Sequence, residues 1–483
     1  MAKPKINNIT GLIILMIVLF MNSCSVFTGS PEETTDIYPN IYPDYIQVTI
    51  PSNISPLNFQ VKGANRIKAE FIIDGKVQIH IQNTDQIKIP QKKWHSLLSR
   101  NLGKTLHVQV SVWDNEHPKG IQYKAFPIYI SNDSIDKNLV YRLIEPGYEG
   151  WNLIEIRQRD ITSFEERTVF TNRLLDNGCI NCHSFQNYSA KDMMLHVREN
   201  KNGTVIVKNN QPEVIHLEEL GPKKSGTYPM WHPSGDYIIF SSNTTRQAFH
   251  AFGDQPLEVY DLESDLILYD VHKKQVLSDS RFASPQHLET FPAWSPKGDK
   301  LYFCAAEKKD MPMQKDSLWY SIYAVGFNKQ TGTFASKIDT LYNGSAHKKS
   351  ASFPRISPNG KFLLFTESDF ATFPIWHKEA ELKMINLTND SIMNTDALNS
   401  PQSESYHSWS SNGKWIIFSS RRLDGLYTHL YLAHCDDEGI WSKPFALPQY
   451  NPNSNFERMK SYNIPEFTNE EIEINTKAIE NLF

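Results

Sequence analysis

The chain has 483 residues, 40% of them hydrophobic, 21% charged and 12% aromatic, which is enough apolar material for a large core and excludes wholesale disorder. Its 49 Lys and Arg against 54 Asp and Glu leave a formal net charge of -5, and no run of basic residues concentrates charge on one face, so nucleic acid is excluded as a partner. Ten Trp, 21 Tyr and 26 Phe beside 22 Gly and 27 Pro point to short strands and many turns, an all-β chain of about three domains' length.

The amino terminus reads as an export signal. Lys3 and Lys5 precede the apolar run Leu12–Met21, followed by Asn22-Ser23-Cys24. Ten apolar residues make about 15 Å of helix, half a bilayer core, so the run is a secretory signal rather than a spanning helix. A Cys directly after the small Ser23 resembles a bacterial lipoprotein signal. That resemblance implies removal of residues 1–23, diacylation of Cys24 and attachment to a membrane; plain secretion with an incidental Cys is the alternative. Ser25 after Cys24, by the same resemblance, implies sorting to the outer membrane, facing the periplasm. Residues 24–45 are polar at first and lack periodicity, and are expected to form a flexible tether.

Residues 46–131 alternate polar and apolar over short runs, such as Ile46–Ile50, Lys68–Ile73, Val77–Ile81, Leu106–Val112 and Tyr123–Ile130. Turn breaks at Asp74-Gly75 and Pro118-Lys119-Gly120 separate them. Period-two patterning predicts antiparallel strands with one buried face, a small β-sandwich in the size class of immunoglobulin-like modules. It carries no catalytic constellation and is expected to be a spacer or docking module.

An internal repeat follows. Four stretches align without gaps: Tyr228-Pro-Met-Trp-His-Pro-Ser-Gly235, Phe291-Pro-Ala-Trp-Ser-Pro-Lys-Gly298, Phe353-Pro-Arg-Ile-Ser-Pro-Asn-Gly360 and Tyr406-His-Ser-Trp-Ser-Ser-Asn-Gly413, each continuing into a strongly apolar strand. The glycines are 63, 62 and 53 residues apart. Strand, Pro/Gly turn, apolar strand and a companion pair make four strands per unit, the blade of a β-propeller, and such units bury their faces only by stacking. These residues resemble the WD-like repeat of TolB-type propellers over roughly residues 140–450. The resemblance implies about six blades and a ring that binds proteins or ligands. Residues 451–483 lose the repeat and are expected to be a carboxy-terminal tail.

Cys179-Ile-Asn-Cys182-His183 is a C-x-x-C-H sequence, the attachment site of c-type haem. Two thiols three residues apart reach the two vinyl groups of one porphyrin, and the following His stands under the iron. A structural zinc site needs a second ligand pair, and Cys304 and Cys435 are isolated. A redox disulfide is the other alternative, without a thioredoxin-like βαβ pattern around it. The segment Cys182-His183-Ser184-Phe185 with Met193–Val197 and Gly203–Val207 reads as a degenerate fifth unit. Its Cys-His-Ser falls where the others carry x-Trp-Ser, and Ala190 takes the glycine column after three extra residues. That alignment hangs the haem from the turn between the first two strands. Residues 151–157 and 165–170 would supply outer strands of a sixth blade. Candidates for the sixth iron position are His232, which stands where sister repeats have Ser, His196 and Met194, with His250 and His407 behind them and an open position as the alternative.

No G-x-S-x-G, H-E-x-x-H or phosphate-cradling loop occurs, and the scattered Asp254, Asp261, Asp265 and Asp270 read as turn residues. The residues favour an electron carrier or binding protein over a catalyst. The expected function is a lipid-anchored, mono-haem c-type cytochrome transferring electrons to or from an envelope partner. The alternatives are a non-redox protein- or ligand-binding scaffold and a peroxidase-like haem enzyme.

Overall fold

The computed structural model describes residues 29–146, 149, 152–199, 201–221, 226–250 and 257–483. The signal segment 1–23 and Cys24 lie outside them.

Two sheets form the amino-terminal part. One is seven-stranded and centres on Arg66–Ile73, Lys76–Asn83, Thr105–Trp113 and Phe126–Ile130; the other pairs Ile41–Tyr42, Phe59–Val61 and Gln86–Ile87. Strict alternation drives the first: every second residue of Arg66–Ile73 is buried, as period-two patterning requires. A helix, Gln91–Ser99, absent from the expectation, buries Trp94, Leu97 and Leu98 at helical spacing. The flexible tether is corrected in part. Glu33–Thr34 pairs with Ile121–Gln122, and Ile41 and Tyr45 are buried, because these apolar side chains complete the sheet faces.

Six four-stranded antiparallel sheets follow among the described residues. The second to sixth are contiguous in sequence and begin with the inner strands Ile180–Phe185, Thr227–Trp231, His287–Trp294, Ser350–Ile356 and Glu404–Trp409. The first contains Asn138–Ile144, Ile154–Asp160 and Glu166–Thr171, and its inner strand is Ser461–Thr468 from the far end of the chain. The inner strands touch in cyclic order, Ser461–Thr468 lying against both Ile180–Phe185 and Glu404–Trp409. Serial four-stranded sheets around a closed ring are a β-propeller.

The reading of 451–483 as a tail is therefore corrected. Its residues close the ring, and Ile479 of the short helix Thr476–Glu480 is fully buried between the first and second sheets. The amino-terminal sheets are not a separate bead either. Their core runs without a break into Trp415, Ile417, Leu432 and Tyr462 of the ring.

The repeat's turn has a simple cause. Ser295, Ser357 and Ser410 accept hydrogen bonds through Oγ from the backbone N–H five residues on, at 3.1, 3.0 and 3.0 Å. Gly298, with φ +72°, takes the left-handed turn position.

Candidate functional site

Each inner strand carries a bulge, seen as a register shift at Asn181/Ser184, Thr227/Met230, Thr290/Ala293, Ser352/Arg355 and Glu404/His407. Ser461–Thr468 carries its own bulge at Asn463/Glu466, against Arg142 and Val140. The first bulge residue has left-handed φ in five of the six strands, at Cys182 (52°), Tyr228 (46°), Phe291 (48°), Phe353 (53°) and Ile464 (42°), and not in Glu404–Trp409. Cys182 thus stands in the column of the repeat's aromatic residue and His183 in that of its proline. This corrects the expected alignment by two residues: Phe185, not His183, matches Trp231 and Trp294. The turn holds one extra residue rather than three, since seven residues separate paired Phe185 and Met193 and six separate Trp231 and Ile238. Ser189, whose N–H bonds the Gln186 carbonyl as that of Gly235 bonds His232, takes the glycine's place rather than Ala190. The C-x-x-C-H segment therefore runs into and along an inner strand on the ring axis, not on a turn.

At the axis the bulges enclose a chamber of about 30 Å³, lined by Cys182, His183, Tyr228, Phe291, Phe353 and Ile464 among others. The aromatic rings pack on one another, Phe291 against Phe353 at 4.1 Å and Tyr228 against Phe291 at 4.5 Å between centroids. Met230 and Arg355 line this chamber and also a cavity of about 400 Å³, so they form the partition between the two. The larger cavity is bounded by Tyr188, Trp231, Trp294 and Trp409, and Arg355 donates to Glu466 at 2.8 Å and to Met230 Sδ at 3.0 Å. Burial pushes the Glu466 carboxyl up, and Arg355 pulls it back.

Cys179, Cys182 and His183 are 5%, 7% and 3% exposed, and both thiols are free. Asn181 donates to Cys179 Sγ at 3.6 Å. Burial raises the Cys182 thiol against the pull of Arg198 and Arg142. His183 is held neutral, its pKa pushed down to about 3 by burial and by Arg142; the ring hydrogen-bonds the Ile464 backbone, and Nε2 has no partner. A neutral imidazole with a fixed ring and a spare nitrogen is the chemistry of an iron ligand. The space is not. Roughly 10–15 Å³ holds one water, so the chamber holds about two or three waters and not a macrocycle. Cys179, moreover, packs into the apolar core between the first and second sheets, away from the chamber that Cys182 lines. The donors fit a haem iron; the folded site does not fit the porphyrin.

The sixth-ligand candidates are engaged elsewhere. His232 donates from Nε2 to the Gly298 carbonyl at 2.9 Å and accepts at Nδ1 from the Ser234 backbone N–H at 3.1 Å. It departs from the Ser of its sister repeats because it braces its turn against the next one, and it has no nitrogen to spare. His196 Nδ1 pairs with Thr204 Oγ1 at 3.1 Å, and burial holds the ring neutral, with a pKa of about 3. Met194 is fully buried in an apolar core with Trp231, Ile238 and Phe240. Among the described residues no group of three or more His, Cys, Asp or Glu side chains is placed to hold a metal ion. His407 is the residue sequence reasoning undervalued: it shares His183's column, two residues before Trp409 as His183 is before Phe185, and its Nδ1 is buried without a partner. The turn reading is corrected for Asp261, which is buried within Leu257–Asp270 and accepts from Tyr320 and Thr372.

No family model matches the chain, and no curated protein matches it. Among solved structures it is similar in fold to a Mycobacterium tuberculosis puromycin-hydrolysing peptidase, at 9% identity and TM-score 0.37, over 87% of this chain and 57% of that one. It is similar likewise to an oligogalacturonate lyase from Vibrio parahaemolyticus (11%, TM-score 0.33, 78% and 100%) and to the β-propeller domain of the Trilobed protease from Pyrococcus furiosus (11%, TM-score 0.34, 72% and 83%). The chain spans little more than half the length of the first of these, and no residue role carries over from any of them.

Proposed function

We propose that this chain is an exported, envelope-anchored binding protein, a six-bladed TolB-like propeller with an amino-terminal β-sandwich packed on it, that takes up a ligand in its axial cavity. The observation that carries this reading is the cavity of about 400 Å³ at the axis, with tryptophans on its wall and the Arg355–Glu466 pair facing it. That is the size and mixed lining of a small-ligand or peptide site. Lipid on Cys24 would tether the ring to the outer membrane. The test is a tryptophan-fluorescence titration of the full chain with short peptides and oligosaccharides, beside Arg355→Ala. A saturable change weakened by the substitution supports the reading. No change with any probe, or one indifferent to Arg355, overturns it.

A second reading, covalent haem on Cys179 and Cys182 with His183 under the iron and electron transfer as the function, is favoured by one observation, the buried, unpartnered Nε2 of His183. It requires the axis to open well beyond the chamber described above. Haem staining of denatured protein matured in a host able to attach haem decides it. An unmodified mass from such a host ends this reading and leaves the first intact.

A further inference from the structure

The end of the axis away from the cavity gathers three arginines that form no ion pair among the described residues. Inner strands run toward the cavity and second strands run away from it, so the ends of the second strands lie at the far end. Arg198 follows Met193–Val197 and Arg421 follows Trp415–Ser420, each four residues beyond Met194 and Ile417, which oppose Ser184 and Ser408. The two arginines share one register position on the second and sixth sheets. The same position holds Asn243, Ala306 and Ser368 on the third, fourth and fifth. Between the two arginine-bearing sheets sits the first, where Arg142 opposes Asn463. Three neighbouring sheets thus bring three guanidinium groups to one end of the axis. Arg142 and Arg198 both act on Cys182, and Arg142 and Arg421 both act on Tyr406.

None of the three has an acid to itself. The ion pairs of Arg157, Arg281, Arg355, Arg422 and Arg458 involve none of the three. Arg142 gives one long hydrogen bond, 3.4 Å, to the Ile180 carbonyl. Arg421 is 7% exposed, its guanidinium lies 4.4 Å from the Trp376 ring centroid, and its Nε is buried without a partner. Asp424 acts on it through space but stands 3.6 Å from His429. An unpaired buried guanidinium such as that of Arg421 is unfavourable, and its planar fork matches an oxyanion with two parallel donors.

We propose that Arg142, Arg198 and Arg421 form an oxyanion site at this end of the axis, receiving a carboxylate or phosphate group of a small ligand. The proposal stands independently of the tryptophan-walled cavity at the other end.

The test is thermal unfolding of the full chain in citrate and in phosphate, each against sodium chloride at matched ionic strength. The native protein melts several degrees higher with one or both anions, because a ligand bound only to the folded state stabilises it. Response to citrate alone assigns a carboxylate, and to phosphate alone a phosphoryl group. The double substitution R198Q/R421Q weakens the response at least roughly tenfold, as expected for losing two charged donors, while melting no lower than native without anion. An absent response in the native protein, or an undiminished one in the double variant, overturns the site. R421K keeps the charge but loses the fork, so it answers even if the double variant fails to fold: a weaker response supports the site and an unchanged one overturns it.

Discussion

His183 and His407 stand in the same column of the repeat, two residues before Phe185 and Trp409, where Pro229, Pro292, Pro354 and Pro465 stand in the other four sheets; His183 lies within its bulge, whereas His407 follows its own and pairs with Phe418. Each histidine has one ring nitrogen bonded to backbone and one buried without a partner. A backbone that accepts proline at four of six equivalent sites does not need an imidazole for its shape.

His183→Pro should therefore fold. It removes a buried, unsatisfied nitrogen and one hydrogen bond, two effects of about 1–2 kcal/mol that oppose each other. Chemical denaturation should place the variant within about 1 kcal/mol of native. A loss of more than about 3 kcal/mol would mean that the ring is structural.

Acid should weaken the fold below neutrality. The folded imidazoles of His183 and His196 titrate near 3 and that of His407 near 4, against 6.5 ordinarily. Between those values the unfolded chain binds more protons, so stability falls as pH drops from about 6.5 and levels off near 3. Glu404 opposes this. Burial lifts its carboxyl to about 7, so its contribution is complete below its ordinary 4.5 and lost as pH rises through 7. Glu466 and Asp261, also raised by burial, act with Glu404, while His232 and His429, lowered by burial, act with the other histidines. Five histidines outweigh three carboxyls, and each changes stability by at most roughly 1.4 kcal/mol per pH unit. The urea midpoint should be lower at pH 5 than at pH 7, and His407→Gln should shrink that difference.

Two glycines with the same backbone angle should respond unequally to Ala. A Cβ on Gly298 (φ +72°) would meet His232 Nε2 at 2.2 Å, whereas one on Gly360 (φ +72°) meets nothing within 4 Å. Gly360→Ala should lose about 1–2 kcal/mol from the left-handed backbone alone. Gly298→Ala adds overpacking of about 1–3 kcal/mol and displaces the His232 brace. Melting temperatures of the two variants order the effects.

Truncation should separate closure from packing. Ending the chain before Ser461 removes the inner strand of the first sheet and exposes Asn138–Ile144 as an edge; aggregation and loss of a cooperative melt are expected. Ile479→Ala keeps that strand and should lose only about 2–4 kcal/mol with cooperativity retained.

Much of the fold was legible because its signals are local. Alternation marked the amino-terminal strands, and the aromatic residue seven positions before a turn glycine marked four of the sheets. The closing strand hid because Ile464-Pro465-Glu466-Phe467 keeps the proline and the aromatic but has no glycine turn after it; a register set by bulges shows what spacing to a glycine does not. Helix Gln91–Ser99 was readable from Trp94, Leu97 and Leu98, three apolar positions between polar neighbours. At the site, the motif itself was plain, but its surroundings were not. That Cys179 and Cys182 face different compartments, that His232 is spent on its neighbour's turn, and that Arg198 and Arg421 share a column all depend on pairings between segments far apart in sequence.

Closure by the last inner strand also orders events in time. Cys182 leaves the ribosome about 280 residues ahead of Ser461, and until that strand arrives the ring is a horseshoe with its seam beside the cysteines, for Ser461–Thr468 is the neighbour of Ile180–Phe185. A newly made chain therefore exposes these sulfurs through a gap that the finished protein lacks. Whatever modifies, oxidises or metallates them meets its easiest target in the nascent molecule, and the finished ring seals the outcome inside.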